Sequence, residues 1–388
     1  MTVPQIAQPT SALERINVMQ PWIGEEESRA ISEVVASGWV AQGPKTAAFE
    51  QAFAARQGVA HAVATSSCTT ALHLALIVAG VKAGDDVIVP SFSFIATANA
   101  PTYVGAHPVF ADVEGATGNV TVQTLDRALT VATTAVIVVD QGGVPVDLAP
   151  IRLWCDNHGL KLIEDAACAA GSTYNGEPVG RGADVSTWSF HPRKLLTTGE
   201  GGMLTTNNET WAKRARTLRE HAMGVSAAER HSALVAPAEC YAEVGYNFRM
   251  TDLQAAMGLV QLGKLDQMVA RRRRLTGTYR AALAEVEGLR LVADPVHGTS
   301  NFQSCWLELL PEYPLDREQL LAHLGALGIS ARRGIMAAHL QPAYAHANSG
   351  ELSVTERLTL NTLILPLYHQ LTEEDQQRVI DALVNPGS

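Results

Sequence analysis

From about residue 60 onward, short β-branched runs alternate with longer apolar helical patterns. This alternation leaves few architectures open, because each helix must carry the chain back across a sheet whose strands run mainly parallel. The strand candidates are 86-DVIVP-90, 108-PVFADV-113, 134-TAVIVV-139, 160-LKLIEDA-166, 184-DVSTWSF-190 and 202-GMLTT-206. Between them, 69-TTALHLALIVAG-80 reads as a helix stopped by Gly80, and 147-DLAPIRLWCDNHG-159 as one opened by Asp147 and ended by Gly159. Both connect strands in the manner of a crossover.

A second region opens at 251-TDLQAAMGLVQLGKLDQMVARRRRLTGTYRAAL-283, where Thr251 with Gln254 three residues on forms a capping box. This helix is too long for a crossover and reads as the bridge into a smaller α+β domain, with 302-FQSCWLELL-310 as a strand and 316-DREQLLAHLGALG-328 and 372-TEEDQQRVIDAL-383 as helices. The expected division is a large domain over 1–250, with an N-terminal arm at about 1–25, and a small domain over 251–388. At 388 residues and 47% hydrophobic, the chain can bury cores of that size.

The net charge of -10 gives no general attraction to nucleic acid or to an anionic membrane, so an anionic ligand requires a local cluster of donors. The one basic run, 271-RRRR-274, then reads as the solvated face of a helix. Five cysteines are scattered without a CxxC pair, which argues against a disulfide framework and a zinc cluster and fits a reducing cytoplasm; no metal is expected. The N-terminal residues lack a basic stretch followed by an apolar one, and no segment offers eighteen uninterrupted apolar residues, so no membrane insertion is expected.

Chemistry gathers around 189-SFHPRKLLTTGEGG-202. Ser189 ends a strand with a hydroxyl, and 199-GEGG-202 lets the backbone take positive φ and pass close to a ligand. Lys194 therefore stands on a tight, open loop at a strand end, where ligands of open α/β sheets collect. Upstream, 163-IEDAA-167 sets two carboxylates at the end of a core strand; Asp165 calls for a cationic partner, while one of the two can simply cap the following helix. The hydroxyl run 65-TSSCTTAL-72 leads into an apolar helix, whose N-terminal amides and hydroxyls make a phosphate cradle. In 90-PSFSFIATANA-100, Phe92 and Phe94 project from a loop, either as core or as rings to stack on. A lysine, a strand-end aspartate, a phosphate cradle and a loop aromatic are what pyridoxal phosphate requires: an amine for the Schiff base, a carboxylate for the pyridine nitrogen, and orientation.

On these residues the chain resembles the DegT-type nucleotide-sugar aminotransferases, pyridoxal phosphate (PLP) enzymes of the aspartate-aminotransferase fold. The resemblance runs from 37-SGWVAQGP-44 to 363-LILPLYHQLTEEDQQRV-379, and SFHPRK..TTGEGG together with 245-GYNFRM-250 carries most of it. It implies that Lys194 is the Schiff-base lysine and Asp165 the carboxylate on the pyridine nitrogen. Ser189 and Thr69 match phosphate ligands, Cys68 holds the glycine position of the cradle, and Phe94 matches the ring stacked on the cofactor. Asn247 matches a residue that reaches the cofactor phosphate of the neighbouring subunit, which implies a homodimer with shared sites. Two departures stand out: Cys168 replaces a glutamine on the 3-hydroxyl side of the cofactor, and Asp140 and Gly142 replace a histidine and a tyrosine.

The implied activity is ping-pong transfer of an amino group from glutamate or glutamine, through the PMP form of the cofactor, to a keto group of a nucleotide-linked deoxysugar in deoxyaminosugar biosynthesis. The alternatives are the same chemistry on an aminocyclitol or other non-nucleotide ketone, and a PLP-fold regulator without turnover. A diphosphate would need cations near the cleft; Arg193, Arg219, Arg249, Arg332, Arg333, His221 and His339 are candidates, with Arg249, Arg333 and His339 the substrate-side choices. His191 reads as a packed loop residue.

Overall fold

The computed structural model describes residues 14–224, 238–347 and 350–386; the first thirteen residues of the expected arm lie outside them. The central sheet has seven strands: β1 (His61–Thr65), β2 (Asp86–Pro90), β3 (His107–Ala111), β4 (Thr133–Val139), β5 (Lys161–Asp165), β8 (Val185–Ser189) and β9 (Gly202–Thr206). The two-residue strands β6 (Thr173–Tyr174) and β7 (Glu177–Pro178) form a small sheet with β11 (Gly298–Thr299). The order across the main sheet is β1-β9-β8-β5-β4-β2-β3, with every pairing parallel except those of β9, which runs antiparallel to both neighbours.

All six strands expected from the sequence form, within one or two residues at their ends; β1, 61-HAVAT-65, is an addition. Its alanines give a weak β signal, and pairing with β9 supplies what local propensity does not. Successive strand residues enter opposite cores, as a period of two requires: Val136, Val138 and Leu162 face one, Ile137, Ile163 and Leu204 the other. The helix Cys68–Ala79 buries Leu72, Leu74 and Leu76 completely, each worth about 1.5–3 kcal/mol. It ends at Gly80 with φ 84°. Asp147 does sit at the start of the helix Leu148–His158 but makes no side-chain cap; it accepts the Tyr174 hydroxyl at 2.7 Å, and that hydroxyl accepts the Ala149 amide at 2.9 Å.

Register brings the functional ends together: Val139 lies opposite Asp165, Asp165 opposite Thr187, and Ser189 opposite Gly202. The stretch expected to be a loop after β2 is instead a helix from Ile95 to Tyr103. Phe92 is fully buried in the core ahead of it, while Phe94 stands at its N-cap.

The long helix Asp252–Leu283 carries the expected capping box, with the Gln254 amide donating to Thr251 Oγ1 at 3.3 Å and the Thr251 amide to Gln254 Oε1 at 2.9 Å. It does more than lead away from the first region, because it packs along the helices Glu25–Ser37 and Pro44–Gln57. Beyond it, β10 (Leu289–Leu291), β12 (Trp306–Leu309), β14 (Thr362–Ile364) and β13 (Arg332–Arg333) form an antiparallel sheet. The segment at residues 16–18 joins that side of the molecule: the Ser330 amide donates to Ile16 O at 2.9 Å and the Leu367 amide to Val18 O at 3.0 Å.

The arginine run corrects an expectation. Four consecutive helical residues sweep the full circumference, and this helix is packed on more than one side, so they cannot share a solvated face. Arg272 is buried, Arg271 donates to the carbonyls of His369 and Leu371, and Arg273 pairs with Asp294; Arg274 alone of the four is exposed.

Candidate active site

The carboxyl ends of β2, β4, β5 and β8 open onto a cavity of about 420 Å³ lined by Cys68, Thr69, Phe94, Asp165, Cys168, Ser189 and Lys194, among others. Lys194 is set there by a short folded loop after β8. Its amide donates to His191 O at 2.8 Å, the Thr198 amide returns to Phe190 O at 2.9 Å, and Leu195 and Leu196 are buried as anchors. Its Nζ lies 3.0 Å from Cys168 Sγ.

Asp165 is the last residue of β5 and is buried. Its Oδ2 accepts the Thr97 hydroxyl at 2.8 Å and its Oδ1 the Ala167 amide at 3.2 Å, with the Cys68 thiol 3.9 Å away. Burial pushes its carboxyl above the ordinary aspartate value, opposed by the Thr97 hydrogen bond and by the charge of Lys194, the cation that the sequence called for. Thr97 carried no signal of its own, although it lies three residues after Phe94 at the start of the same helix.

Glu164 points to the other face of β5 and caps no helix. It is buried, accepts the Ser186 hydroxyl at 2.9 Å, and meets Asp140. Burial raises both acids, Glu164 to about 7 and Asp140 well above its ordinary range; Asp140 Oδ2 has no donor among the described residues. Two carboxyl groups in this arrangement share a proton at neutral pH.

The hydroxyl run leads into a helix N-terminus at the cavity. Ser67 caps the helix, accepting the Thr70 amide at 3.2 Å, and leaves the Cys68 and Thr69 amides without an acceptor inside the helix. Ser189 enters from β8. The glycines of 199-GEGG-202 act differently from one another: Gly199 supplies positive φ (83°), whereas a Cβ on Gly202 would lie 2.4 Å from the Ser67 carbonyl carbon. The close approach at Gly202 is to the cradle backbone. Phe94 is 64% exposed, too open to serve as core, and lines the cavity.

The substrate-side candidates are distributed otherwise. Asn247 is exposed, Arg249 half-buried, and neither lines the cavity of its own chain. Arg333 is held outside by Glu318, with Nε 2.9 Å from Oε1, and His339 is packed between Ser91 (2.6 Å) and Glu356 (3.3 Å). Arg219 is buried against Glu50, and His221 does not reach the cavity. Arg193, Arg332 and His191 do line it. Gln303 and Gln141 also line it, without a sequence signal that could have found them. A larger groove of about 680 Å³ lies between the helices Glu25–Ser37 and Asp252–Leu283, away from every strand end.

These residues fit pyridoxal phosphate: a half-buried lysine amine, a carboxylate for the ring nitrogen, helix amides with two hydroxyls for the phosphate, an open ring to stack on, and a volume in the range of cofactor pockets. Set on this sheet order, they define a PLP-dependent aminotransferase of the aspartate-aminotransferase fold. The chain belongs to the DegT/DnrJ/EryC1/StrS aminotransferase family, whose model matches residues 21–384. It is 39% identical over 376 residues to GDP-perosamine synthase of Caulobacter vibrioides, covering 96% of this chain and 98% of that protein. The aminotransferase TlmJ from Streptoalloteichus hindustanus superposes with a TM-score of 0.88 at 37% identity, covering 95% of this chain and 98% of that one. Spr1654 from Streptococcus pneumoniae, solved in a PLP-form and a PMP-form, superposes with TM-scores of 0.86 and 0.88 at 26% identity, again over 95% and 98%.

Proposed function

We propose that this enzyme moves an amino group from glutamate or glutamine to a keto group of a nucleotide-linked deoxysugar. The single observation carrying the nucleotide is that Arg193 and Arg332 line the same cavity as Lys194 and make no salt bridge among the described residues. Two cations facing a cavity of a chain with net charge -10 are a local site for a diphosphate. The name of the relative GDP-perosamine synthase agrees with this class.

When bound, the cofactor supplies an aldehyde that condenses with amines and a ring that withdraws electrons from the carbon being deprotonated. Lys194 would hold it through Nζ, and the same amine, when free, would serve as base and then acid for the proton that must move. Asp165 keeps a proton on the ring nitrogen, its Oδ2 oriented by Thr97. The Cys68 and Thr69 amides, the Thr69 hydroxyl and the Ser189 hydroxyl bind the phosphate. Phe94 covers the ring and Cys168 stands beside Lys194 Nζ. Exposed Asn247 serves the site of a second copy, which makes the working unit a homodimer. The free state of all five cysteines is in keeping with a reducing cytoplasm, and no helix of the described residues is long and apolar enough to cross a membrane.

The test is the absorbance spectrum of the purified protein before and after L-glutamate and, separately, L-glutamine. The visible band of lysine-bound cofactor is expected to fade with one of them. A band that ignores both would overturn the donor assignment, and no band at all would overturn the role of Lys194. Failure of GDP and of dTDP to bind the loaded enzyme would replace the nucleotide sugar with an aminocyclitol or another free ketone.

A further inference from the structure

Three turns carry residues into the cavity: 141–143 after β4, 166–170 after β5 and 191–195 after β8. One short segment, 300-SNFQS-304, grips all of them. Asn301 Nδ2 donates to the carbonyls of Cys168 and Ala170, each at 2.8 Å, and the Ser304 amide that follows donates to Gly142 O at 3.0 Å. The tightest hold is on Lys194. Gln303 Oε1 accepts the Leu195 amide at 2.8 Å, and Gln303 Nε2 donates to Arg193 O at 2.6 Å. These two groups belong to the peptide units on either side of the Lys194 Cα, so a single side-chain amide fixes the backbone there from both directions.

The segment is braced as though its placement mattered. Phe302 holds φ at 49°, a left-handed conformation that costs a bulky residue energy and persists only where surroundings over-determine it. Buried Arg272 donates to the carbonyls of Phe302 and Gln303 at 3.1 and 3.3 Å. It makes no salt bridge among the described residues. Gln303 itself is held by Asn301, whose Oδ1 accepts its amide at 2.7 Å. A buried cation and a strained backbone thus converge on one glutamine, and among the described residues the side-chain amide of that glutamine hydrogen-bonds only to the residues flanking Lys194.

We propose that Gln303 is a positioning residue for Lys194, delivering Nζ to the cavity between Cys168 and Asp165. This rests on Lys194 being the covalent lysine, and the two ideas fail separately in one set of measurements. Borohydride reduction of the loaded wild-type enzyme followed by peptide mass analysis is expected to find the cofactor label on Lys194; a label elsewhere sinks both. With the label in place, Gln303→Leu removes both hydrogen bonds at similar volume. It is expected to lower kcat by about 10- to 100-fold with KM nearly unchanged, as misplacement of a reacting group does. The pH midpoint of the visible band of lysine-bound cofactor should shift with it. Gln303→Glu keeps the acceptor for the Leu195 amide and should recover part of both effects. A melting temperature lowered while kcat and the midpoint stay at wild-type values would overturn the proposal and leave Gln303 a purely structural contact. Should Gln303→Leu not fold, Gln303→Met carries the same comparison.

Discussion

Lys194 Nζ stands 3.0 Å from Cys168 Sγ, and that contact bears on the chemistry of the lysine. Burial pulls the Lys194 ammonium down, but Cys168, then Cys68 and Asp165, pull it up further, and the balance lies above the ordinary lysine value. In protein stripped of cofactor the amine is therefore protonated near neutral pH, and only its neutral form can attack an aldehyde. Capture of added cofactor should quicken by about tenfold per pH unit across the neutral range, followed by stopped-flow absorbance. Cys168→Ala removes the foremost upward influence and should speed capture at neutral pH; a rate independent of both pH and this substitution would mean that Lys194 is neutral already. Lys194→Ala should cost at least about 10³-fold in turnover in a coupled assay, the span of a lost proton-transfer group. At this scale the sequence is legible where a residue's type and strand-end position place it, as for Lys194 and Asp165, which both line the cavity. It is not legible between Arg332 and Arg333. Adjacent residues of β13 face opposite sides, and nothing local says which parity meets the cavity.

At the scale of elements, caps and glycines do most of the placing. Thr251→Ala removes the N-cap of the helix Asp252–Leu283, and a loss of about 1 kcal/mol is expected from urea unfolding. Gly202→Ala is a sharper probe. Its Cβ would lie 2.4 Å from the Ser67 carbonyl carbon and 2.5 Å from the Cys68 nitrogen, both backbone, so the cradle itself must shift. An overpacking cost of about 1–3 kcal/mol is expected, with weaker cofactor affinity by fluorescence titration. Wild-type affinity in that variant would mean that the cradle does not hold the phosphate. The capping box was readable because its residues are three apart in sequence. The fate of 271-RRRR-274 was not, because which arc of a helix is covered depends on what packs against it.

Across the whole molecule, the buried pair of Asp140 and Glu164 ties stability to pH. Glu164 moves from an ordinary 4.5 to about 7 in the folded state, so folding takes up protons between those values. The stabilising contribution of that uptake is complete below 4.5 and is lost as pH rises through about 7. Melting temperatures recorded from about pH 5 to about pH 8 should fall for the wild type, and the fall should flatten in Glu164→Gln. Parallel curves would show that the pair holds no shared proton. What the sequence alone determined about this protein is its chemical set and its strand frame, because hydrophobic period, caps and the SFHPRK..TTGEGG and GYNFRM stretches are written in neighbouring residues. Tertiary structure decided the rest: the antiparallel insertion of β9, the burial of Arg272, the choice of Arg332 over Arg333 at the cavity, and the grip of Gln303 on Lys194. Those depend on contacts between residues far apart in sequence, 108 positions in the case of Gln303 and Leu195, and packing across such a span leaves no pattern in either local stretch.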